Sequence, residues 1–400
     1  MTAVEPADFL GLAALAKMAF DGEDLTELRS KLIDRMFDEP KNAGVLMDLS
    51  IIEQLTGTQV DGMALLHRAL AKGRVYRRPA IGTAAPLRML AVMAPGDFMA
   101  NTPLEFMLDG SDIQLDLAYV LPGEPLPELP EHDLLFVAVG ESEENQPILA
   151  ALREPVTAWP RPVANLPQHI AELSRDGSYR LLHDAPGVVI PPTARIDRAG
   201  LARIALGEEG PGVALQGHDF PIIARPLGSH AGEGLLKLDD AGAARAYLQG
   251  RPEAEFFISP FVDYRSPDGL FRKYRIAVIE GRAFPSHGAF SSHWMIHYLN
   301  AGMRESAEKR QEEARWMAEF DEGFAKRHEG AIAALTERIG LDYFALDCGE
   351  TPDGRLLIFE VDVAMIVHAM DPPDIFPYKA GEMERLFEAF RAMLRRKAGA

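Results

Sequence analysis

The stretch LLIFEVDVAMIVH, from Leu356 to His368, constrains this chain more than any other. Its apolar run reads as a buried β-strand, yet it carries two carboxylates, Glu360 and Asp362, two positions apart. Strand side chains alternate between faces, so both acids point the same way. A buried face does not hold two negative charges unless something of opposite sign neutralises them. Upstream lies LDYFALDCG, and the turn ETPDG joins the two segments, which predicts a hairpin. The same alternation puts Tyr343, Ala345 and Asp347 on one face of the first strand, so Asp347 is expected to converge with Glu360 and Asp362. The alternative reading is the solvent-facing side of an edge strand, and the flanking LLIF and AMIV argue against it.

Composition limits what surrounds that hairpin. The chain has 400 residues, 47% hydrophobic and 25% charged. That is long enough for two to four structural units of ordinary globular type. A net charge of -19 argues against nucleic-acid binding. Phosphate affinity comes from Lys and Arg, although a local basic pocket remains open. The single cysteine, Cys348, allows neither an internal disulfide nor a cysteine zinc cluster, and a cytoplasmic location is the simplest expectation. The opening MTAVEPADFLGLAALAKMAF lacks a basic region before its apolar part and is interrupted by Asp8 and Lys17. It reads as neither a signal peptide nor a membrane span, and no membrane association is expected.

Residues 1–80 read as an all-α region. DLTELRSKLIDRMF, GVLMDLSIIEQL and GMALLHRALAKG repeat apolar residues at three- and four-residue spacing. Paired helices of this kind resemble tetratricopeptide units, although no clean 34-residue period is present. A packed helical bundle and a repeat that binds a protein or peptide partner are both compatible with the pattern. YRRPAIGTAAP, residues 76–86, reads as a linker. LRMLAVMAP, IQLDLAYVL and HDLLFVAV read as strands separated by helical or turn segments, which predicts a small parallel α/β domain over 84–165. From 166 to 400, strands and helices alternate through PIIARPLGSHAGEGLLKL, EFFISPFVDY and FRKYRIAVIEGRAF to a charged helical stretch closed by Gly340, the carboxylate hairpin and a last helix.

Five segments, in this order, resemble the ATP-grasp superfamily: the material at 161–193, PIIARPLGSHAGEGL at 221–235, EFFISPFVDY at 255–264, FRKYRIAVIEGR at 271–282, and LDYFALDCGE with LLIFEVDVA at 341–364. The resemblance covers about three quarters of the chain and leaves 1–80 unexplained. It implies an α/β plus α+β architecture: a pre-ATP-grasp α/β domain and two α+β lobes, the small lobe at about 195–262, preceded by the helical domain. It also implies an ATP-dependent ligase that activates a carboxylate as an acyl phosphate for attack by an amine or similar nucleophile, releasing ADP and phosphate. A nucleotide-binding regulator without turnover and an ATP-dependent phosphotransferase are the alternatives.

Residue roles follow. Asp347, Glu360 and Asp362 would hold Mg²⁺, with Mn²⁺ as a substitute, shared with nucleotide phosphates as is usual for that hard ion. The family usually has asparagine at the position of Asp362, which opens the number of metal ions. Gly228, Ser229, His230, Gly232 and Gly234 form a glycine-containing loop whose amides could cradle phosphate, although no Walker A sequence is present. Arg225 stands where the family has a basic residue on ATP. A second basic residue is expected at Arg175 or Arg180, with Arg180 preferred. Phe261 and Val262 would meet the adenine, and Asp263 a ribose hydroxyl. Arg275, with Lys273 on the same strand face, would steady the transferred phosphate. His287, His293, His368 and Lys379 are candidate substrate contacts, Lys379 as an anchor for an acidic group. His297 shares helical i,i+4 spacing with His293, but no zinc-site glutamate accompanies the pair. The substrates would be a carboxylate and an amine; self-association is left open.

Overall fold

The computed structural model describes residues 5–82, 85–229 and 232–399. The chain divides into two compact units, one comprising Met1–Ala171, Leu341–Ala345 and Asp362–Ala400, the other Glu172–Gly340 and Leu346–Val361.

The first unit begins with β1 (Ala7–Asp8) and four helices, α1 (Leu12–Phe20), α2 (Thr26–Asp38), α3 (Ala43–Leu55) and α4 (Gln59–Leu70). Asn42 starts α3 by accepting from the Gly44 and Val45 amides, the usual role of an asparagine cap. After β2 (Val75–Arg78) come β3 (Leu87–Met93), α5 (Leu104–Leu108), β4 (Ile113–Tyr119), β5 (Leu134–Val137), α6 (Gln146–Thr157), β6 (Val163–Ala164) and α7 (Pro167–Ile170). The sheet order is β1-β2-β4-β3-β5-β6. β3 pairs in parallel with β4 and β5 and is covered on both faces, which is why its sequence is a continuous apolar run.

Two expectations change here. Residues 76–86 do not form only a linker, because Val75–Arg78 is a strand antiparallel to β4. Arg77 meets its register partner Asp116 through Nε–Oδ1 and Nη2–Oδ2 bonds of 2.6 and 2.7 Å, and Asp116 is buried. The helical region therefore falls in one compact unit with the parallel sheet, since β1 and β2 flank its four helices and both join that sheet.

The second unit opens with α8 (Arg175–Leu182), β7 (Val188–Val189), β8 (Ala194–Asp197) and α9 (Arg198–Leu206). It continues with β9 (Ile222–Pro226), β10 (Leu236–Leu238), α10 (Ala241–Gln249) and β11 (Glu255–Pro260). β8 to β11 form a four-stranded antiparallel sheet in the order β10-β9-β11-β8. α9 and α10 contribute Leu201, Ile204, Ala244 and Leu248 to the apolar core of this sheet. Next are β12 (Phe271–Ile279), β13 (Arg282–Ser291), α11 (Ala307–Ala318) and α12 (Glu329–Ile339). Gly340 closes α12 in the left-handed conformation, at φ 66°, as helix-ending glycines commonly do. β14 (Tyr343–Glu350) and β15 (Leu356–Asp362) are neighbours, as the hairpin reading requires, in a sheet ordered β13-β12-β14-β15-β7. The chain ends in α13 (Lys379–Ala398), which belongs to the first unit.

Candidate active site

The site in the second unit is built on β12, β14 and β15. On β12, Tyr274 stacks on Trp316 with ring centroids 4.7 Å apart and meets Phe324 edge-on, so one face of the strand is committed to the apolar core. Lys273 and Arg275 are thereby turned to the other face. Asp347, on the neighbouring strand, is 2% exposed and lies against both of them. Arg275 grips it in bidentate fashion, Nε to Oδ1 at 2.8 Å and an Nη to Oδ2 at 2.9 Å, and Lys273 Nζ lies 2.7 Å from Oδ2. Such a fork is among the stronger charge-assisted arrangements. Burial opposes ionisation of Asp347, but Arg275 and Lys273 outweigh it and hold the carboxyl well below the usual carboxylate range.

Glu360, on β15, accepts from an Nη of Arg175 at 2.6 Å, and a second Arg175 bond reaches the Phe359 carbonyl at 3.4 Å. Burial again raises the pKa of Glu360, while Arg175 and Arg225 lower it; the net effect is downward. Arg225, on β9, is 8% exposed. Among the described residues its hydrogen bonds go to neutral atoms, the Ser229 hydroxyl at 3.1 Å and the Ser229 carbonyl. Burial, with Arg175 adding like-charge repulsion, pushes Arg225 down to about 9, and only Glu360 among its nearest charged groups opposes this with a full negative charge. One electrostatic cluster thus holds four cations, Arg175, Arg225, Lys273 and Arg275, against two carboxylates, Asp347 and Glu360. In a chain of net charge -19, this local surplus of positive charge favours a polyanion.

Asp347, Glu360 and Asp362 were expected to hold a metal ion; Asp347 and Glu360 also have basic partners from the chain itself, Arg275 and Lys273 on β12 and Arg175 on α8. Among the described residues, no group of three or more His, Cys, Asp and Glu side chains is disposed to hold a metal ion. Asp362, the last residue of β15, accepts the Ala364 amide at 3.0 Å. Arg175, rather than the preferred Arg180, meets Glu360. The two arginines are five positions apart on α8, about 140° around a helix with about 3.6 residues per turn. Arg180 pairs instead with Asp176 at 2.7 Å, its side chain 64% exposed.

Between β9 and β10, Gly228, Gly232 and Gly234 all have positive φ, at 73°, 78° and 65°. At Gly234 a Cβ would come within 2.6 Å of Pro226 Cδ, so glycine is required by space as well as by conformation. Ser229 Oγ donates to the Pro226 carbonyl at 2.8 Å, and His230 lies outside the described residues. After β11, the Phe261 amide donates to the Pro221 carbonyl at 3.0 Å, and Lys237 Nζ stands 4.8 Å from the centre of the Phe261 ring. Val262 is half-buried. Asp263 is exposed and pairs with Arg265, so its carboxylate already has a neighbouring partner.

The histidines separate clearly. His287 is the register partner of Arg275 on β13, and its ring lies 4.5 Å from that of Tyr298. His297 also reaches the cluster: burial, then Lys273 and Arg275, lower its pKa below the ordinary imidazole value. Its part was not assigned from sequence, since spacing alone does not show which charges surround it. His293 is exposed, stacked on Trp294, and its segment has no helical turn, so the i,i+4 spacing has no helix to act on. His368 and Lys379 belong to the first unit. The His368 ring lies 6.3 Å from Phe106, and its Nδ1 accepts the Met370 amide at 3.1 Å. Lys379 is 2% exposed, 3.1 Å from Asp371 Oδ2 and over the Phe376 ring, which makes it an internal ion pair rather than a surface anchor for an acidic substrate.

Neither models of protein families nor curated proteins match the sequence. Among solved structures, the chain is similar to a RimK-domain ATP-grasp protein from Sphaerobacter thermophilus, at 16% identity and a TM-score of 0.40, over 75% of this chain and 98% of that one. It is also similar to the VanG D-Ala:D-Ser ligase from Enterococcus faecalis, at 12% identity and a TM-score of 0.46, over 78% of this chain and 100% of that one. Among the described residues, no helix is long and apolar enough to cross a membrane.

Proposed function

We propose that the protein is an ATP-dependent ligase of the ATP-grasp type, which activates a carboxylate as an acyl phosphate and passes it to an amine. The observation that carries this reading is the cluster of four cations around two carboxylates, with Arg225 and Asp347 buried and the others half-buried, assembled from the segments that carry the sequence resemblance. A phosphate chain supplies the negative charge that Arg225 lacks among its hydrogen-bond partners. Gly228, Gly232 and Gly234, with positive φ, are the positions at which backbone could approach phosphate closely.

The donor set fits Mg²⁺ as a companion of the nucleotide rather than as a resident ion. Glu360 and Asp347 are the carboxylates that would hold it, and Mg²⁺ commonly takes one or two carboxylates and completes its shell with phosphate oxygens and water. When bound, ATP supplies the phosphoryl group and Mg²⁺ neutralises part of its charge. The chain's own part is positioning and electrostatics. Arg225 and Arg175 bind and orient phosphate, Arg275 and Lys273 place fixed positive charge beside the reacting oxygens, and Asp347 holds those two side chains in place. No protein nucleophile is needed.

Calorimetry with ATP, with and without Mg²⁺, tests this. The wild-type chain is expected to bind ATP more tightly with Mg²⁺. Glu360→Ala removes a competing anion and a metal ligand together, so it should lose the Mg²⁺ enhancement while keeping metal-free ATP binding. A wild-type chain that binds no ATP in either condition overturns the proposal. Arg175→Ala should weaken ATP binding at least about tenfold, the scale of a lost charge-assisted contact. Arg180→Ala should change it less than about twofold, as befits an exposed i,i+4 pair; equal effects would remove Arg175 from the phosphate site.

A further inference from the structure

In the first unit, α1 begins without a cap of its own. Its N-cap is Gly11, at φ 87°, which has no side chain to accept the first amides of the helix. Those amides need acceptors all the same. Two carboxyls from other elements supply them. Asp48, on α3, accepts the Leu10 and Gly11 amides at 2.9 and 3.1 Å. Glu105, on α5, faces the Leu12 and Ala13 amides, the first two of α1. A Cβ at Gly11 would overlap Glu105 Oε2, so this carboxyl lies directly against the turn that opens the helix.

Two carboxyls at one buried helix end repel each other, and the groups around them do not balance two full negative charges. Asp48 is 3% exposed, and Glu105 Oε2 is buried with no hydrogen-bond partner among the described residues. Arg78, on β2, bears on both, but its Nε stands 3.9 Å from Glu105 Oε2, beyond hydrogen-bond reach. Its Nη1 donates to the Phe9 and Leu10 carbonyls, and Asp109 draws on it from 4.0 Å. Arg35, on α2, acts on Asp48. The charge of Glu105 bears on Tyr119, and Asp97 lines the same cavity as Glu105. From α13, Arg391 donates to the Met107 carbonyl of α5 at 3.4 Å. α1 itself carries only Lys17, exposed and paired with Asp21 at 2.7 Å. Burial, with Asp48 adding like-charge repulsion, pushes Glu105 up to about 7 against the pull of Arg78 and the two amides. Burial likewise pushes Asp48 up to about 6.

α1 lies over the segment that follows β15. Ala13, Ala16 and Phe106 form a small core, with Leu55, Ile366 and Met370 packed against it. The His368 ring lies 6.1 Å from that of Phe20, at the end of α1, and 6.3 Å from that of Phe106.

We propose that α1 is a proton-controlled cover on residues 366–370, seated while the Asp48–Glu105 pair carries a proton and loosened when both carboxyls ionise. A neutral carboxyl still accepts the amides, and burying it costs far less than burying a charge. Loosening α1 brings Glu105 into water, where it gives up its proton. The sign follows. The seated state holds that proton up to about pH 7, the loosened state only to the ordinary value of 4.5, so opening becomes easier as pH rises between the two.

Amide hydrogen exchange of the full chain at about pH 6, 7 and 8, corrected for the intrinsic pH dependence of exchange, reads the opening. Protection of residues 15–20 and 366–370 should fall together, about tenfold from pH 6 to 8, while residues 46–52 of α3 stay within about threefold. Glu105→Gln keeps an acceptor and cannot ionise, so its α1 protection should stay within about threefold over the same range. His368→Gln should leave the fall in place, because His368 is not the group that takes the proton. If Glu105→Gln fails to fold, as judged by circular dichroism, an NMR titration of the Glu105 carboxyl in wild type replaces it, with a midpoint above about pH 6 expected. The proposal is overturned if α1 protection in wild type does not change with pH or if α3 loses protection equally. It is overturned too if a folded Glu105→Gln keeps the fall, if His368→Gln abolishes it, or if the Glu105 carboxyl titrates near the ordinary glutamate value.

Discussion

Replacing Arg275 with alanine should destabilise the second unit by about 2–4 kcal/mol and remove at least about a hundredfold of any ATP-dependent turnover. The stability loss follows from what the substitution leaves behind. Asp347 is 2% exposed and shares its charge between Arg275 and Lys273. Without the bidentate guanidinium, Lys273 alone faces a buried carboxylate, and breaking one side of a buried pair costs more than the pair itself contributes. Urea unfolding of the full chain checks the first effect. The pH dependence has a fixed sign. The folded-state pKa of Asp347 lies well below its ordinary value of 3.8. Its ion pairs therefore contribute stability that is present above that value and is lost as pH falls towards the depressed one. In Arg275→Ala the folded-state pKa rises, so acid unfolding should begin at a higher pH than in wild type. Arg275→Lys, which keeps the charge without the fork, should recover part of the stability and less of the turnover. An Arg275→Ala chain as stable as wild type at neutral pH would show that Asp347 does not depend on this pair.

Asn165→Ala should cost about 2–4 kcal/mol by a different route. Asn165 is fully buried just after β6, and its backbone is left-handed at φ 55°. Asparagine tolerates that conformation better than alanine does. Its side chain makes three bonds to the start of β14: Oδ1 accepts the Asp342 and Tyr343 amides, both at 3.0 Å, and Nδ2 donates to the Tyr343 carbonyl at 2.8 Å. Its own amide donates to Asp342 Oδ2 at 2.9 Å. Alanine would remove these bonds from the half-buried Asp342 amide and the buried Tyr343 amide and carbonyl, and would strain the backbone as well. Thermal unfolding of Asn165→Ala against Asn165→Asp, which can still accept, separates the terms. Asp should recover most of the acceptor contribution and none of the donated bond. A loss below about 0.5 kcal/mol in the alanine variant would mean that water replaces the side chain without penalty.

Much of the site was legible because strands carry their own geometry. Period-two alternation placed Lys273 beside Arg275 and put Asp347 and Glu360 on one side of adjoining strands, and those four side chains do belong to one charge cluster. The glycine loop was readable because positive φ selects glycine at 228, 232 and 234. The choice between Arg175 and Arg180 was not readable. Both lie on α8, and only the position of that helix against β15 decides which one reaches Glu360. Lys379 was read as a candidate anchor for an acidic group because sequence shows its charge but not Asp371 beside it.

By itself, the sequence determined the local terms: which segments are strands, which face each side chain takes, where glycine must stand, and that two carboxylates lie on one strand. Tertiary structure alone decided how those charges are balanced. Electrostatic energy depends on distances between residues far apart in the chain and on the burial around them. That Asp347 and Glu360 are the minority charge in a basic cluster followed only once β12, β9 and α8 were in place.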